Sequence, residues 1–250
     1  MQRSIVFVLL LLACRSVPAE TAESAWKNLV GEKMGRRTEF SYVENTPQLP
    51  NVLIYGGSVS IGYTTDVRNL LTGKANVYRI YCNGGDSGSF IPKMQKMESV
   101  MQNPELDDPW NFAWNVIHFN VGLHDLKYIK NGKLDRDNGT QVSSVNEYKK
   151  NLRAMIGYLQ ETAPDAKLIF ATTTPVPEGA DGRFSGDAVK YNAAAMEVLK
   201  EFPEVAVNDL YRFTTPHQTE WWRGPGNVHY GTEGRAAQAR EVSRSIFRYL

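Results

Sequence analysis

Asn51-Val52-Leu53-Ile54-Tyr55-Gly56-Gly57-Ser58-Val59-Ser60-Ile61-Gly62 is the stretch on which the fold turns. The run Asn51–Tyr55, entered from Pro50 and left through a glycine pair, predicts a short buried strand. The serine behind the glycines then stands at a strand-to-helix turn. Glycine lets the backbone turn tightly there, and the unpaired N–H groups of a helix's first turn favour a developing negative charge. The plainer reading of Ser58 is a helix N-cap.

Similar runs recur at Val77–Tyr81, Val116–Asn120 and Leu168–Thr172, with a weaker one at Val205–Val207. Between and after them lie helical patterns at Val142–Thr162, Ala188–Glu201 and Glu233–Tyr249. In the first of these, Val145, Tyr148, Leu152, Met155, Ile156 and Leu159 repeat with a 3.6-residue period. Pro164 and Pro203 close two of the helices. Strands alternating with helices predict an α/β fold, a mainly parallel sheet covered on both faces. In such sheets ligands bind beyond the carboxyl ends of the strands, so the residues following each run are the ones to inspect.

The whole chain bounds this reading. It has 250 residues, with 28 Lys and Arg against 27 Asp and Glu, 42% hydrophobic residues and 22% charged ones. This is ordinary globular composition, which excludes disordered, collagenous, coiled-coil and multi-span membrane classes. The near-zero net charge removes the main electrostatic argument for nucleic acid or an anionic membrane as partner. Residues 51–250 form one expected domain, preceded by a mixed polar lead-in at 20–50 with a short helix near Ala22–Leu29.

Residues 1–19 read as a targeting segment rather than as part of the fold. Arg3 precedes the uncharged apolar run Ile5–Ala13, too short to span a bilayer, and Val17-Pro18-Ala19 offers a cleavage site. The expectation is export, secreted or periplasmic. The alternative is a lipid anchor at Cys14, since Leu11-Leu12-Ala13-Cys14 resembles a bacterial lipoprotein box. Removal of this segment leaves Cys82 alone, so no disulfide framework or cysteine metal site is expected. Cys82 reads as a packing residue.

Four polar fragments follow strands or precede the last helix. They are Gly56-Gly57-Ser58, Asn83-Gly84-Gly85-Asp86-Ser87, Gly122-Leu123-His124-Asp125 and Gly226-Asn227-Val228-His229. A serine, a backbone amide beside a glycine, a polar donor and a histidine base together make a nucleophilic site. In this order and placement they resemble the blocks of the SGNH (GDSL-type) hydrolases, over roughly Asn51–Leu250. Gly122–Asp125 is similar to a Gly-Leu-His-Asp branch among bacterial members.

The resemblance implies a three-layer α/β/α, flavodoxin-like fold with a five-stranded sheet, and ester hydrolysis without metal or cofactor. It implies Ser58 as nucleophile, His229 as base, and Gly85 and His124 in the oxyanion hole, with Asp125 a candidate for fixing the His124 tautomer. The family's histidine-orienting aspartate would fall at position 226, where this chain has Gly226. A backbone carbonyl, Asp209, Glu220 or Glu233 is then left to orient His229.

Trp221, Trp222 and Arg223, just ahead of His229, are candidates for stacking on a sugar and pairing with an acidic group. The expected partner is a small-molecule or glycan ester, and the oligomeric state stays open. Two other readings remain: a non-catalytic glycan-binding protein, favoured by Gly226, and a glycosidase using carboxylates such as Asp86 and Asp125.

Overall fold

A computed structural model describes residues 19–250. The expected export signal and the Cys14 alternative fall on residues outside these, apart from Ala19. The chain opens with α1 (Ala22–Gly35), followed by β1 (Asn51–Tyr55), α2 (Ser58–Leu70), β2 (Asn76–Arg79), α3 (Phe90–Met101) and β3 (Val116–Phe119). A small hairpin insertion carries β4 (Tyr128–Lys130), β5 (Lys133–Leu134) and β6 (Thr140–Gln141). Then come α4 (Val145–Thr162), β7 (Lys167–Ala171), α5 (Asp187–Leu199), β8 (Ala206–Asn208), the short α6 (Leu210–Thr214) and α7 (Gln218–Trp221), and α8 (Thr232–Phe247).

The main sheet has five parallel strands in the order β2-β1-β3-β7-β8, the flavodoxin-like arrangement. Its central strands read as unbroken apolar runs because both faces are covered: all five residues of β1 are buried. Helices α1, α3, α4 and α5 pack in a row in one layer, and α2 packs on α8 in the other. The three-layer α/β/α expectation is met. The strand order reverses at β1, so the crevice above β1 and β3 is where a ligand site belongs.

Three features were not read from the sequence. Helix α3 holds its buried positions at Phe90, Met94, Met97 and Met101, a 3.6-residue spacing hidden within a mixed segment. The hairpin β4–β6 is exposed and therefore lacks an apolar signature. The lead-in is also longer in structure and better anchored than its polar composition suggests. α1 runs to Gly35, Trp26 and Phe40 are buried, and Trp26 Nε1 donates to the Phe40 carbonyl at 2.7 Å.

The lead-in also meets a buried cation. The Arg79 side chain is fully buried. Its guanidinium lies 4.7 Å from the centre of the Phe40 ring and donates to Thr64 Oγ1 at 2.8 Å. It also donates to the carbonyls of Ile80, Gly56 and Cys82. A charge removed from water must find such partners; here it fastens the end of β1, the end of β2, α2 and the lead-in together. Trp26→Ala should therefore cost about 3–5 kcal/mol of folding stability, read as a lower denaturation midpoint with an unchanged urea dependence.

Candidate active site

Ser58 is the first residue of α2, reached from the end of β1 through Gly56 and Gly57. The β-strand backbone of Gly57 turns into helix there, so Ser58 projects into the crevice with the free N–H groups of the first helical turn around it. His229 stands before α8 at the other end of the chain. Because α2 and α8 are packed side by side, the two residues meet: His229 Nε2 is 2.8 Å from Ser58 Oγ.

The other ring nitrogen decides what this contact can do. His229 Nδ1 lies 2.9 Å from Asn227 Oδ1, which also accepts the His229 backbone N–H at 3.0 Å. An amide oxygen already accepting one N–H accepts the second, so the ring proton sits on Nδ1. Nε2 is left bare, facing the Ser58 hydroxyl. Burial lowers the His229 pKa below its ordinary 6.5, with Arg183, Arg223 and Lys127 adding to the effect. The ring is therefore neutral at neutral pH.

The orienting group is thus a neutral amide two residues ahead, not a carboxylate three residues ahead. Among the described residues, none of the expected substitutes contacts His229 Nδ1. Asp209 caps α6 and holds Thr172 Oγ1, Glu220 faces His217, and neither Glu233 nor a backbone carbonyl is hydrogen-bonded there. Nor could position 226 accept its aspartate unchanged. Gly226 has φ +67°, and a Cβ there would come within 2.9 Å of the Gly179 carbonyl oxygen. Asn227 was visible in the sequence beside His229; the signal missed was that an asparagine at i−2 can fold back on a histidine.

His124 stands in the turn that follows β3 and faces Gly57, beside Ser58. Its Nδ1 is 2.8 Å from Lys127 Nζ. An ammonium only donates, so Nδ1 accepts and the proton is on Nε2. Burial, with Lys127 and other cations, lowers the His124 pKa to about 3, which keeps the ring neutral and its Nε2–H a fixed donor. The residue that sets this tautomer is therefore Lys127, not Asp125. Asp125 is fully buried and accepts from Ser87 Oγ at 2.5 Å and from the Ser87 N–H, locking the β2 and β3 loops together.

The edge of His124 bearing Nε2 and Cδ2 lies 3.2 Å from where a Gly57 Cβ would stand. Gly57 has an extended backbone that any residue adopts. A side chain at 57 would crowd the imidazole, so the glycine leaves room for the ring of His124.

Gly85 holds a different place from the one expected. Its N–H donates to Asn83 Oδ1 at 3.1 Å, and Lys93 Nζ binds the Asn83 and Gly84 carbonyls beside it at 3.0 and 2.9 Å. Of the aromatic pair, Trp221 is 7% exposed and stacks on His217 at 4.0 Å, so it is a packing residue. Trp222 is half-buried and bridges to Tyr230. Arg223 is exposed and lines the cleft with Ser58 and His229. Burial raises the Cys82 thiol, in keeping with a packing role. Asp86 caps a short 3-10 turn. No three His, Cys, Asp or Glu side chains among the described residues are placed to hold a metal ion.

A serine hydroxyl and an imidazole thus meet beyond the carboxyl end of β1 in a parallel sheet. The model of the GDSL-like lipase/acylhydrolase family matches residues 54–237, a span that contains Ser58, His124, Asn227 and His229, and the chain belongs to that family of ester-hydrolysing enzymes. No curated protein matches the chain.

Solved structures share its fold at low identity. The lipase/acylhydrolase from Enterococcus faecalis superposes with TM-score 0.58 at 16% identity, covering 79% of this chain and 95% of that one. The acetyl xylan esterase AlAXEase gives 0.59 at 18%, covering 78% and 99%. A GDSL-like lipase from Bacteroides thetaiotaomicron gives 0.55 at 12%, covering 89% and 100%.

The fit between positions 57 and 124 is testable by a double-mutant cycle. Gly57→Asp alone should impair ester turnover by displacing His124. In the Gly57→Asp/His124→Asn pair the losses should be non-additive by about 0.5–3 kcal/mol of transition-state stabilisation, measured from kcat/KM.

Proposed function

We propose that the protein is an exported serine esterase that removes short acyl groups, acetyl foremost, from carbohydrate. The observation that carries the reading is the chain of contacts Ser58 Oγ to His229 Nε2 to Asn227 Oδ1, with both histidine nitrogens committed in the sense that a general base requires.

Ser58 Oγ attacks the ester carbonyl carbon while His229 Nε2 takes its proton. The carbonyl oxygen becomes an oxyanion, received by the Ser58 N–H and the His124 Nε2–H. A preorganised donor of this kind is worth about 3–4 kcal/mol of barrier. Collapse breaks the bond to the alcohol oxygen, which leaves with the proton held by His229. Water, deprotonated by the same imidazole, then attacks acyl-Ser58 and releases the acid and the free hydroxyl. The Gly85 N–H would join the oxyanion hole only by giving up Asn83.

Asn227 holds the tautomer as an orienting aspartate would, but it brings no charge to the imidazolium. An asparagine serves in the same position in the Cys-His-Asn sites of papain-like proteases. The cleft at Ser58 has a volume of about 180 Å³, a size suited to a small acyl group. One structural neighbour is named as an acetyl xylan esterase, which supports a carbohydrate ester as substrate. Export rests on Arg3, the apolar run Ile5–Ala13 and the Val17-Pro18-Ala19 site. The glycosidase reading loses support because Asp125 is enclosed by Ser87. The glycan-binding reading loses its premise because His229 has an orienting partner.

Ser58→Ala should abolish release of 4-nitrophenol from 4-nitrophenyl acetate and labelling by a serine-reactive phosphonate; retained turnover would refute the mechanism. The pH dependence has a defined sign. His229 must be unprotonated to act and its pKa is lowered, so kcat/KM should rise through a midpoint below 6.5 and be flat at neutral pH. Asn227→Asp places a carboxylate on Nδ1, favours the protonated ring and should move that midpoint up by about 1–3 pH units.

A further inference from the structure

We propose that the cleft at Ser58 is built for an ester that carries an anionic group, a carboxylate or sulfate, next to the scissile bond. The inference rests on the esterase reading and names its substrate class. It stands on three arginines, Arg37, Arg223 and Arg235, that line the same cleft as Ser58 and His229.

Each arginine reaches the cleft from a different element and is positioned there. The Arg223 backbone N–H donates to the His229 carbonyl at 2.9 Å, next to the Trp222–Tyr230 bridge, so its side chain starts beside the catalytic base. Arg235 lies in the first turn of α8. Its stem crosses Gly62, where a Cβ would come within 3.0 Å of Arg235 Cδ, and Gly62 is one helical turn along α2 from Ser58. Its guanidinium is 3.4 Å from Thr232 Oγ1.

Arg37 comes from the lead-in, which is fastened to α2 where Arg68 holds the Thr38 carbonyl at 3.0 Å and Thr38 meets Thr65 through their hydroxyls at 3.3 Å. Gly62 thus leaves room for one arginine, and the buried anchor of the lead-in supplies another.

The charge balance is one-sided. Arg37 pairs with Glu39 at 2.9 Å. Among the described residues neither Arg223 nor Arg235 has a carboxylate within ion-pair distance, whereas Arg36, Arg153 and Arg244 elsewhere on the surface do. Among the described residues, no acidic side chain lines the cleft. In a chain of near-zero net charge, this concentration at the nucleophile is local. Guanidinium groups match carboxylate and sulfate oxygens in a planar fork, and the field they set up draws an anionic ester in. It also contributes to the lowered pKa of His229, for which Arg223 is one cause.

The anion can belong to the acyl group or to the alcohol, and matched pairs of esters separate the two. On the acyl side, 4-nitrophenyl hemisuccinate is compared with 4-nitrophenyl butyrate. On the alcohol side, an acetylated 4-nitrophenyl glucuronide is compared with the acetylated glucoside, read by acetate release. At least one anionic ester should exceed its neutral match in kcat/KM by about tenfold or more.

That ratio should collapse at about 1 M salt, where the screening length is about 3 Å, and in the Arg223→Gln/Arg235→Gln variant, with folding checked by thermal melting. Equal kcat/KM within both pairs, or a ratio that survives the double substitution, overturns the proposal. Ser58→Ala protein titrated with inorganic sulfate gives a readout independent of turnover. Saturable binding that the double substitution removes is expected, and no binding overturns the anion site. Turnover that persists in Ser58→Ala would instead refute the esterase mechanism while the titration still reports on the arginines.

Discussion

The 2.8 Å contact between Ser58 Oγ and His229 Nε2 joins residues 171 positions apart. Two loops alone would not hold such a contact. It is kept by helix packing: Ser58 opens α2, His229 lies just ahead of α8, and the two helices lie against each other over the sheet. The core under α2 is fixed in turn by Arg79, whose donors reach the carbonyl of Gly56, the end of β2 and Thr64. The hydroxyl and the imidazole are thereby set together by burial well away from them, so the orientation entropy of bringing two groups into register is met by folding.

The site reaches its chemistry with fewer charges than the family pattern contains. Position 226 holds a glycine whose backbone conformation and close contact with Gly179 leave no place for aspartate, position 57 holds a glycine against an imidazole, and Asn227 replaces a carboxylate as the tautomer lock. These departures follow one spatial logic. His124 lies against the space that a side chain at 57 would enter, and Lys127 fixes its proton on Nε2. Lys127 and Arg183 make the site cationic, and burial, reinforced by these neighbours, holds both imidazole rings neutral.

The strand and helix pattern carried most of the fold in the sequence because the parallel sheet is covered on both faces, and such strands are written as plain apolar runs. The small sheet β4–β6 is exposed and short, so it leaves no comparable trace. Ser58, His124 and His229 were legible because each lies in or at the edge of a connection between a strand and a helix. Asn227, Lys127 and the anchored Arg37 were not, since their roles depend on how a loop folds back, and composition alone does not encode that. Trp221 looked like a sugar platform from its polar surroundings, but it closes over His217 and Phe213 instead.

The loop that precedes α5 touches both halves of the site. Its Gly179 carbonyl abuts Gly226, just ahead of Asn227, and Arg183 Nε donates to the Leu123 carbonyl, just ahead of His124, at 3.1 Å. The same loop joins the exposed hairpin, where the Tyr128 N–H meets the Gly182 carbonyl at 2.8 Å. A surface hairpin is therefore mechanically geared to two active-site loops at once. A change in that outer appendage reaches the surroundings of His229 and of His124 together, through one shared strut.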